Sequence, residues 1–342
     1  MWKPYLIPND KGAIINWHER LDIPEDWYVL TKRDGARVEI TRDWVKGRSL
    51  KPIVNKQILS MAKDLQKHLQ EGFVVEAEFY SHEMNFSEIM HFFKTEDITS
   101  PQTKKKYINL WNKTQGMPSK GWKFPGRDAE WLTSWHKSLH FRLFDCVNID
   151  TISATIAKLR LARVQAYSTC NHCEFGPLRV FTKVDDILDY YVEQLEKGYE
   201  GLVLMHKNGV YKQGRATLKE ASIFKMKSDL NEYDGEIIGL VQATVVNPLA
   251  PTSVNELGRT VTSKKQDDRL LIEAISGFTI RMDDGTIQKI SLRGWDDEAK
   301  AKAWKAGEAY YKGKWILFTG MPETRIGGAI RHAQFKAFRD EK

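Results

Sequence analysis

Cysteine is scarce in this sequence, with three among 342 residues. Three thiols cannot staple a chain of this size, so a disulfide scaffold is excluded and a reducing compartment, the cytoplasm, is expected. Long apolar runs are lacking too. The N-terminal MWKPYLIPND has no signal-like apolar core. The longest mostly apolar stretch, residues 237–250, is interrupted by Gln242, Thr244 and Asn247 and is too short to span a bilayer. No membrane partner is expected. There is no internal repeat or low-complexity tract, so a solenoid is not expected. A second CxxC is absent as well. Cys170, His172 and Cys173 resemble part of a zinc ligand set, but structural zinc takes four ligands and only Cys146 could add a thiolate. That cluster therefore reads as a turn carrying reduced thiols.

What is present is ordinary globular composition, 42% hydrophobic and 28% charged, enough apolar material for two independent cores. The formal charge is +7, and its location is more informative than its size. Acids and bases balance in residues 229–342, so the whole excess lies in residues 1–228. Residues 101–140 are the most basic part: Lys104, Lys105, Lys106, Lys113, Lys120 and Lys123 alternate there with Tyr107, Trp111, Trp122 and Phe124. Cations neutralise phosphates and aromatic faces pack on sugars or bases, so this interleaving points to a nucleic-acid partner met by one face.

Periodicity divides the chain near residue 229. Alternating apolar and polar residues at 27–30 and 36–40 flank KRDGAR, which reads as a hairpin or strand-loop-strand turn with Lys32 at a strand end. Residues 57–70 carry a helical apolar stripe, 73–80 a strand, and 152–168 and 184–197 two further helices. Strands return at 202–205 and 221–226. Beyond the boundary, a strand pattern begins at Gly235, and Asp283-Asp284-Gly285 is a hairpin turn between strands at 277–280 and 286–292. Asp296 and Asp297 can cap one helix running to about Tyr311, ended by Gly313. The expectation is an α+β protein: residues 1–228 with antiparallel sheets and flanking helices, then residues 229–342 as a small, partly open barrel of the OB type.

The chemistry starts at Lys32-Arg33-Asp34-Gly35-Ala36-Arg37. A lysine attacks phosphorus only as the neutral amine, and cations such as Arg33 and Arg37 favour that form. Gly35 allows a tight turn beside a bulky ligand. Alone the string is weak. In order after it come Glu78 in VVEAEFYS, Phe144 in FRLFDCV, Glu200 in YEGLVLM, and Lys225 and Lys227 in FKMK. Together these supply a nucleophile, carboxylates for a sugar and a metal, an aromatic platform and cations for a phosphate.

In this motif order the chain resembles the covalent nucleotidyltransferase superfamily, and within it the compact ATP-dependent DNA ligases of phages and viruses. The resemblance covers residues 28–342. It implies an adenylation domain followed by an OB-fold domain, ATP and Mg²⁺ as cofactors, and a monomer acting on nicked duplex DNA. By position, Lys32 would accept AMP, while Arg37 and Arg48 would contact the sugar and the nicked strand. Glu78 would grip the ribose, Phe144 would stack on adenine, Glu200 would hold the metal, and Lys225 and Lys227 would contact the α-phosphate. The closing RHAQFKAFRDEK resembles the final basic motif of these ligases, with Ala333 in place of proline, and implies that Arg331, Arg339 and Lys342 orient pyrophosphate. Leu30 is apolar where many relatives have a polar residue that reads adenine. RNA ligases and GTP-using capping enzymes share the chemistry. An OB-containing DNA-binding protein is the non-enzymatic alternative.

Overall fold

The computed structural model describes residues 2–7, 21, 23–84, 86–103, 105, 138–152, 154–217, 222–227, 231–263, 265–292, 294–324 and 329–339. They fall into two compact units, one through Lys227 and the other from Asn231. No helix among the described residues is long and apolar enough to cross a membrane.

In the first unit the chain runs β1 (Tyr5–Leu6), β2 (Trp27–Lys32), β3 (Ala36–Ile40), β4 (Val45–Gly47), α1 (Lys56–His68), β5 (Phe73–Tyr80), α2 (Phe86–Lys94), β6 (His140–Asn148), α3 (Ala157–Tyr167), β7 (Cys173–Glu174), α4 (Val184–Glu196), β8 (Gly201–His206), β9 (Gly214–Arg215) and β10 (Ile223–Lys227). Two sheets result. One has the order β4-β3-β5-β6-β7, the other β10-β8-β2, and β1 pairs with β9 in a small parallel ribbon.

The KRDGAR turn is not a hairpin. β2 pairs antiparallel with β8, whereas β3 pairs with β4 and β5, so the three residues between Lys32 and Ala36 carry the chain from one sheet to the other. Gly35 is needed at that crossing because a Cβ there would run into the Phe79 carbonyl.

α1 forms as its stripe predicts, with Ile58, Met61, Ala62 and Leu65 buried. Asn55 caps it by accepting from the Gln57 and Ile58 amides at 3.0 and 2.9 Å. Its buried amide group also donates to the Phe92 and Thr95 carbonyls, tying α1 to the end of α2. Phe79 of β5 meets Phe92 and Phe93 of α2, so alternation turns Val74, Glu76, Glu78 and Tyr80 to the opposite face. On β2-β8-β10, Val29, Leu202, Leu204, Phe224 and Met226 pack on Ile187 and Tyr190 of α4. The other face sets Tyr28, Leu30, Val203 and Ile223 in a core with Val147, Leu161 and Tyr211. That parity puts Lys32, Lys225 and Lys227 on the inner side, facing the larger sheet.

The second unit comprises β11 (Asn231–Val246), β12 (Thr252–Val254), β13 (Thr260–Thr262), β14 (Arg269–Arg281), β15 (Ile287–Ser291), α5 (Asp297–Ala306), α6 (Glu308–Tyr311), β16 (Trp315–Thr324) and β17 (Ile330–Phe338). The barrel is closed, in the order β11-β14-β15-β17-β16, rather than partly open. Closure rests on one parallel pairing, Ser291 with Gln334. Gly285, at a φ of 81°, makes the expected turn between β14 and β15. Asp296 caps α5 by accepting from the Ala299 amide at 2.7 Å. The single helix expected to Tyr311 is interrupted, because Gly307 takes a φ of 78° and ends α5 before α6 begins.

Candidate active site

Lys32 ends β2 opposite Gly201, the first residue of β8, and Gly201 lies opposite Lys227 of β10 on its other side. The register therefore places one lysine on each flank of one glycine. Gly201 has a φ of 139°, and a Cβ there would strike the Met226 carbonyl, so the strands close up only around glycine. Glu200 precedes it and donates its amide to the Lys32 carbonyl at 3.2 Å. Its carboxylate is shared: one oxygen pairs with the Lys32 ammonium, the other with that of Lys227. Burial pushes the Glu200 carboxyl up, but Lys32 and Lys227 outweigh it and hold the group below its ordinary value. Behind Lys32, the Thr31 hydroxyl donates to Gln194 of α4 at 2.8 Å and fixes the strand end.

Lys225 sits on the same face, and its ammonium is pushed down to about 8, first by burial and then by repulsion from Lys227, Lys32 and Arg215. Glu78 of β5 accepts from the Gly35 amide at 3.2 Å. Burial raises its carboxyl to about 7, against the pull of Lys32 and Arg37. Lys32, Glu78, Glu200, Lys225 and Lys227, taken from three strands and one loop, thus form one electrostatic cluster.

Arg37 faces a different set of partners. Its guanidinium pairs with Glu76, donates to the Tyr5 carbonyl at 2.8 Å and lies 3.8 Å from Glu39. Burial works against its charge, but Glu76, Tyr211 and Glu39 raise its pKa on balance. The Phe144 ring is 5.3 Å from the same guanidinium. Arg48 is exposed, and burial of part of its stem together with Arg37 and Arg215 lowers its pKa. Arg33 is not the near cation that the sequence pattern assigned to Lys32. It stacks 3.7 Å above the Tyr199 ring, and the group touching Lys32 is a carboxylate.

In the barrel, Arg331 is buried on β17, and Arg339 makes a two-pronged ion pair with Asp234 at 2.8 and 3.3 Å. Lys105 is exposed. Lys104, Lys106, Lys113, Lys120, Lys123 and Lys342 lie outside the described residues.

Sequence reasoning misses the groups that hold Arg37. Glu39, Glu76 and Asp145 lie side by side across β3, β5 and β6, all buried. The Trp2 indole donates to Glu39 at 2.7 Å, the Tyr211 hydroxyl to Glu76 at 2.6 Å, and Arg160 to Asp145 at 2.8 Å. Burial pushes Glu39 up to about 8, and Glu76 adds to the rise. The only signal in the sequence is three acids at the same level of three strands.

The family described as ATP dependent DNA ligase domain matches residues 16–227. A DNA ligase of Enterobacteria phage T3 is 28% identical over 158 residues, 46% of this chain and 38% of that protein. The chain thus matches well under half the length of that curated relative. Among solved structures, one from a structure-function analysis of Lig E DNA ligases, concerned with DNA binding by a minimal scaffold, aligns with a TM-score of 0.63. Identity there is 13%, with 99% of this chain and 100% of that chain covered. A second, Pmar-Lig_Pre, aligns with a TM-score of 0.62 at 15% identity, covering 100% of this chain and 68% of that one. At such identities the likeness is one of fold.

Proposed function

The chain belongs to the ATP-dependent DNA ligase family, and from that premise we propose that it seals nicks in duplex DNA through a covalent AMP on Lys32. The observation that carries the reading is the Lys32–Glu200–Lys227 cluster on the inner face of β2-β8-β10. We take residues 1–228 as the adenylation domain and 229–342 as the OB-fold domain.

In the first step the Lys32 amine attacks the α-phosphate of ATP. An N–P bond forms, the bond from phosphorus to the bridging oxygen breaks, and pyrophosphate leaves. Lys32 must shed its protons, and Glu200, already paired with it, holds the amine in line rather than acting as a strong base, because its carboxyl is kept acidic. Lys225 and Lys227 face the charge that builds on the phosphate oxygens. AMP then passes to the 5′-phosphate at a nick, and the 3′-hydroxyl attacks that phosphate and releases AMP.

Glu200 would hold Mg²⁺, since conversion of Lys32 to a phosphoramidate removes one positive charge from beside its carboxylate, and the ion would draw electron density off the phosphate oxygens. Glu78 is assigned to the ribose. Phe144 is assigned to the adenine, and Arg48 and the lysines of residues 104–123 to the DNA backbone. Arg37, held by Glu76 and 5.3 Å from the Phe144 ring, is assigned with Arg48 to the sugar and the nicked strand. Arg331, Arg339 and Lys342 are assigned to pyrophosphate.

The test is labelling with ATP radioactive at the α-phosphate. Wild type should acquire acid-labile, base-stable label, and Lys32→Ala none. Glu200→Ala and Lys227→Ala should slow labelling by roughly 10²-fold or more. Label persisting on Lys32→Ala, or wild-type rates for both other variants, overturns the site. Parallel incubations with GTP and NAD identify the nucleotide, and label from GTP alone favours capping chemistry.

A further inference from the structure

Helix α1 carries Asp64 and His68 one turn apart, so both side chains leave the same face at its C-terminal end. Across from them runs the turn Cys170-Asn171-His172-Cys173, which leads into β7. The Asp64 carboxylate accepts from the Asn171 amide at 2.8 Å and ties the turn to the helix. A carboxylate oxygen of Asp64, an imidazole nitrogen of His68 and the Cys170 sulfur lie within 4.8 Å of one another. The Cys173 amide donates to the Cys170 carbonyl at 3.1 Å, closing the CxxC segment into a turn. His172 takes a φ of 59°, a left-handed conformation unusual for any residue but glycine, and so turns the chain back at Cys173.

We propose that Asp64, His68, Cys170 and Cys173 form a zinc-binding site that bolts the end of α1 to the turn before β7. Sequence reasoning rejects zinc because it seeks the missing ligands among cysteines. The fold supplies them instead from a helix about a hundred residues earlier. Two sulfurs, one nitrogen and one oxygen are donors zinc takes, and Cys-x-x-Cys is the spacing of zinc knuckles. At zinc bond lengths, donors in a tetrahedron stand about 3.3–3.8 Å apart, so Asp64, His68 and Cys170 need move only about 1 Å to close on the ion, and Cys173 is the neighbouring thiol left to complete the set.

The partial negative charge at the C-terminal end of α1 favours a cation there. His68 is largely exposed, which leaves a path for entry. The cluster contains none of the residues proposed for nucleotide transfer.

The test uses the full chain, purified with reductant, stripped by chelator and titrated with Co²⁺. Saturation is expected at one ion per chain, with thiolate-to-cobalt charge-transfer absorption and the intense visible bands of four-coordinate cobalt. Zinc should then abolish both. Cys170→Ser and Cys173→Ser should each lose the charge-transfer band, and His68→Gln and Asp64→Asn should weaken binding on the order of tenfold or more. These last two positions are partly exposed and keep the test decisive if a cysteine variant fails to fold. Cys146→Ala should titrate like wild type. The proposal is overturned by a spectrum matching aqueous cobalt, by unchanged binding in His68→Gln and Asp64→Asn, or by a Cys170–Cys173 disulfide in protein isolated without oxidant.

Discussion

Lys225 is the lysine of the cluster whose charge lies within reach of ordinary buffers, as the Glu78 carboxyl does on the acidic side. With its ammonium pushed down to about 8, it carries a positive charge below that pH and loses it above. Attraction for the α-phosphate should therefore fade as pH rises through 8. We expect the kcat/KM of wild-type self-adenylation for ATP to fall on the alkaline side relative to that of Lys225→Arg measured at the same pH. Lys225→Arg should abolish that fall, since guanidinium stays charged. Identical alkaline limbs for Lys225→Arg and wild type would remove Lys225 from phosphate binding. Lys32, Glu78, Glu200, Lys225 and Lys227 are legible in the sequence because each abuts a strand signal and the order is distinctive. Glu39, Glu76 and Asp145 are not. A carboxylate in a strand pattern reads as a solvated face, and only the tertiary structure reveals Trp2, Tyr211 and Arg160 each donating to one of the three from outside the sheet.

At the scale of elements, the close approach of β8 and β10 at Gly201 decides the distance between Lys32 and Lys227. Gly201→Ala places a methyl against the Met226 carbonyl and must push the strands apart. Overpacking of this kind costs about 1–3 kcal/mol. Thermal melting should show that loss, and labelling of Lys32 should fall by more than the folded fraction does. A variant with wild-type labelling rate would show that the cluster tolerates a wider spacing. Helix α1 and strand β5 can be read from sequence because both follow one clear period. The sheet crossing at Asp34-Gly35 cannot, since the residues that favour a hairpin turn also favour any abrupt change of direction. Gly307 is hidden for a related reason: good helix formers stand on both sides of it, and they mask the break.

For the whole molecule, the uneven charge is the feature with a measurable consequence. The excess of +7 resides in the first 228 residues, concentrated at 101–140. Each phosphate that a lysine neutralises gives up its counterions, so Lys104, Lys105 and Lys106 changed together to Ala should flatten the salt dependence of nicked-DNA affinity. The slope should fall by about one unit for every phosphate no longer neutralised. Labelling of Lys32 should stay close to wild type. An unchanged affinity and slope would assign the grip on DNA to other residues. Composition and motif order suffice to expect two units and a barrel. Barrel closure is beyond them, because a single parallel pairing between β15 and β17 leaves no pattern in sequence.

The pairing of β2 with β8 also bears on how the protein is made. Glu200 stands 168 positions after Lys32 in the chain, and almost the whole first unit must be synthesised before the two meet. Pairings so distant in sequence form late and slowly, after local helices such as α1 have settled. A nascent chain that has exposed only its first few dozen residues on the ribosome carries an ordinary solvated lysine at position 32. On the proposed reading of Lys32, reactivity toward ATP should arrive together with the finished fold, and half-made chains should escape being tagged with AMP.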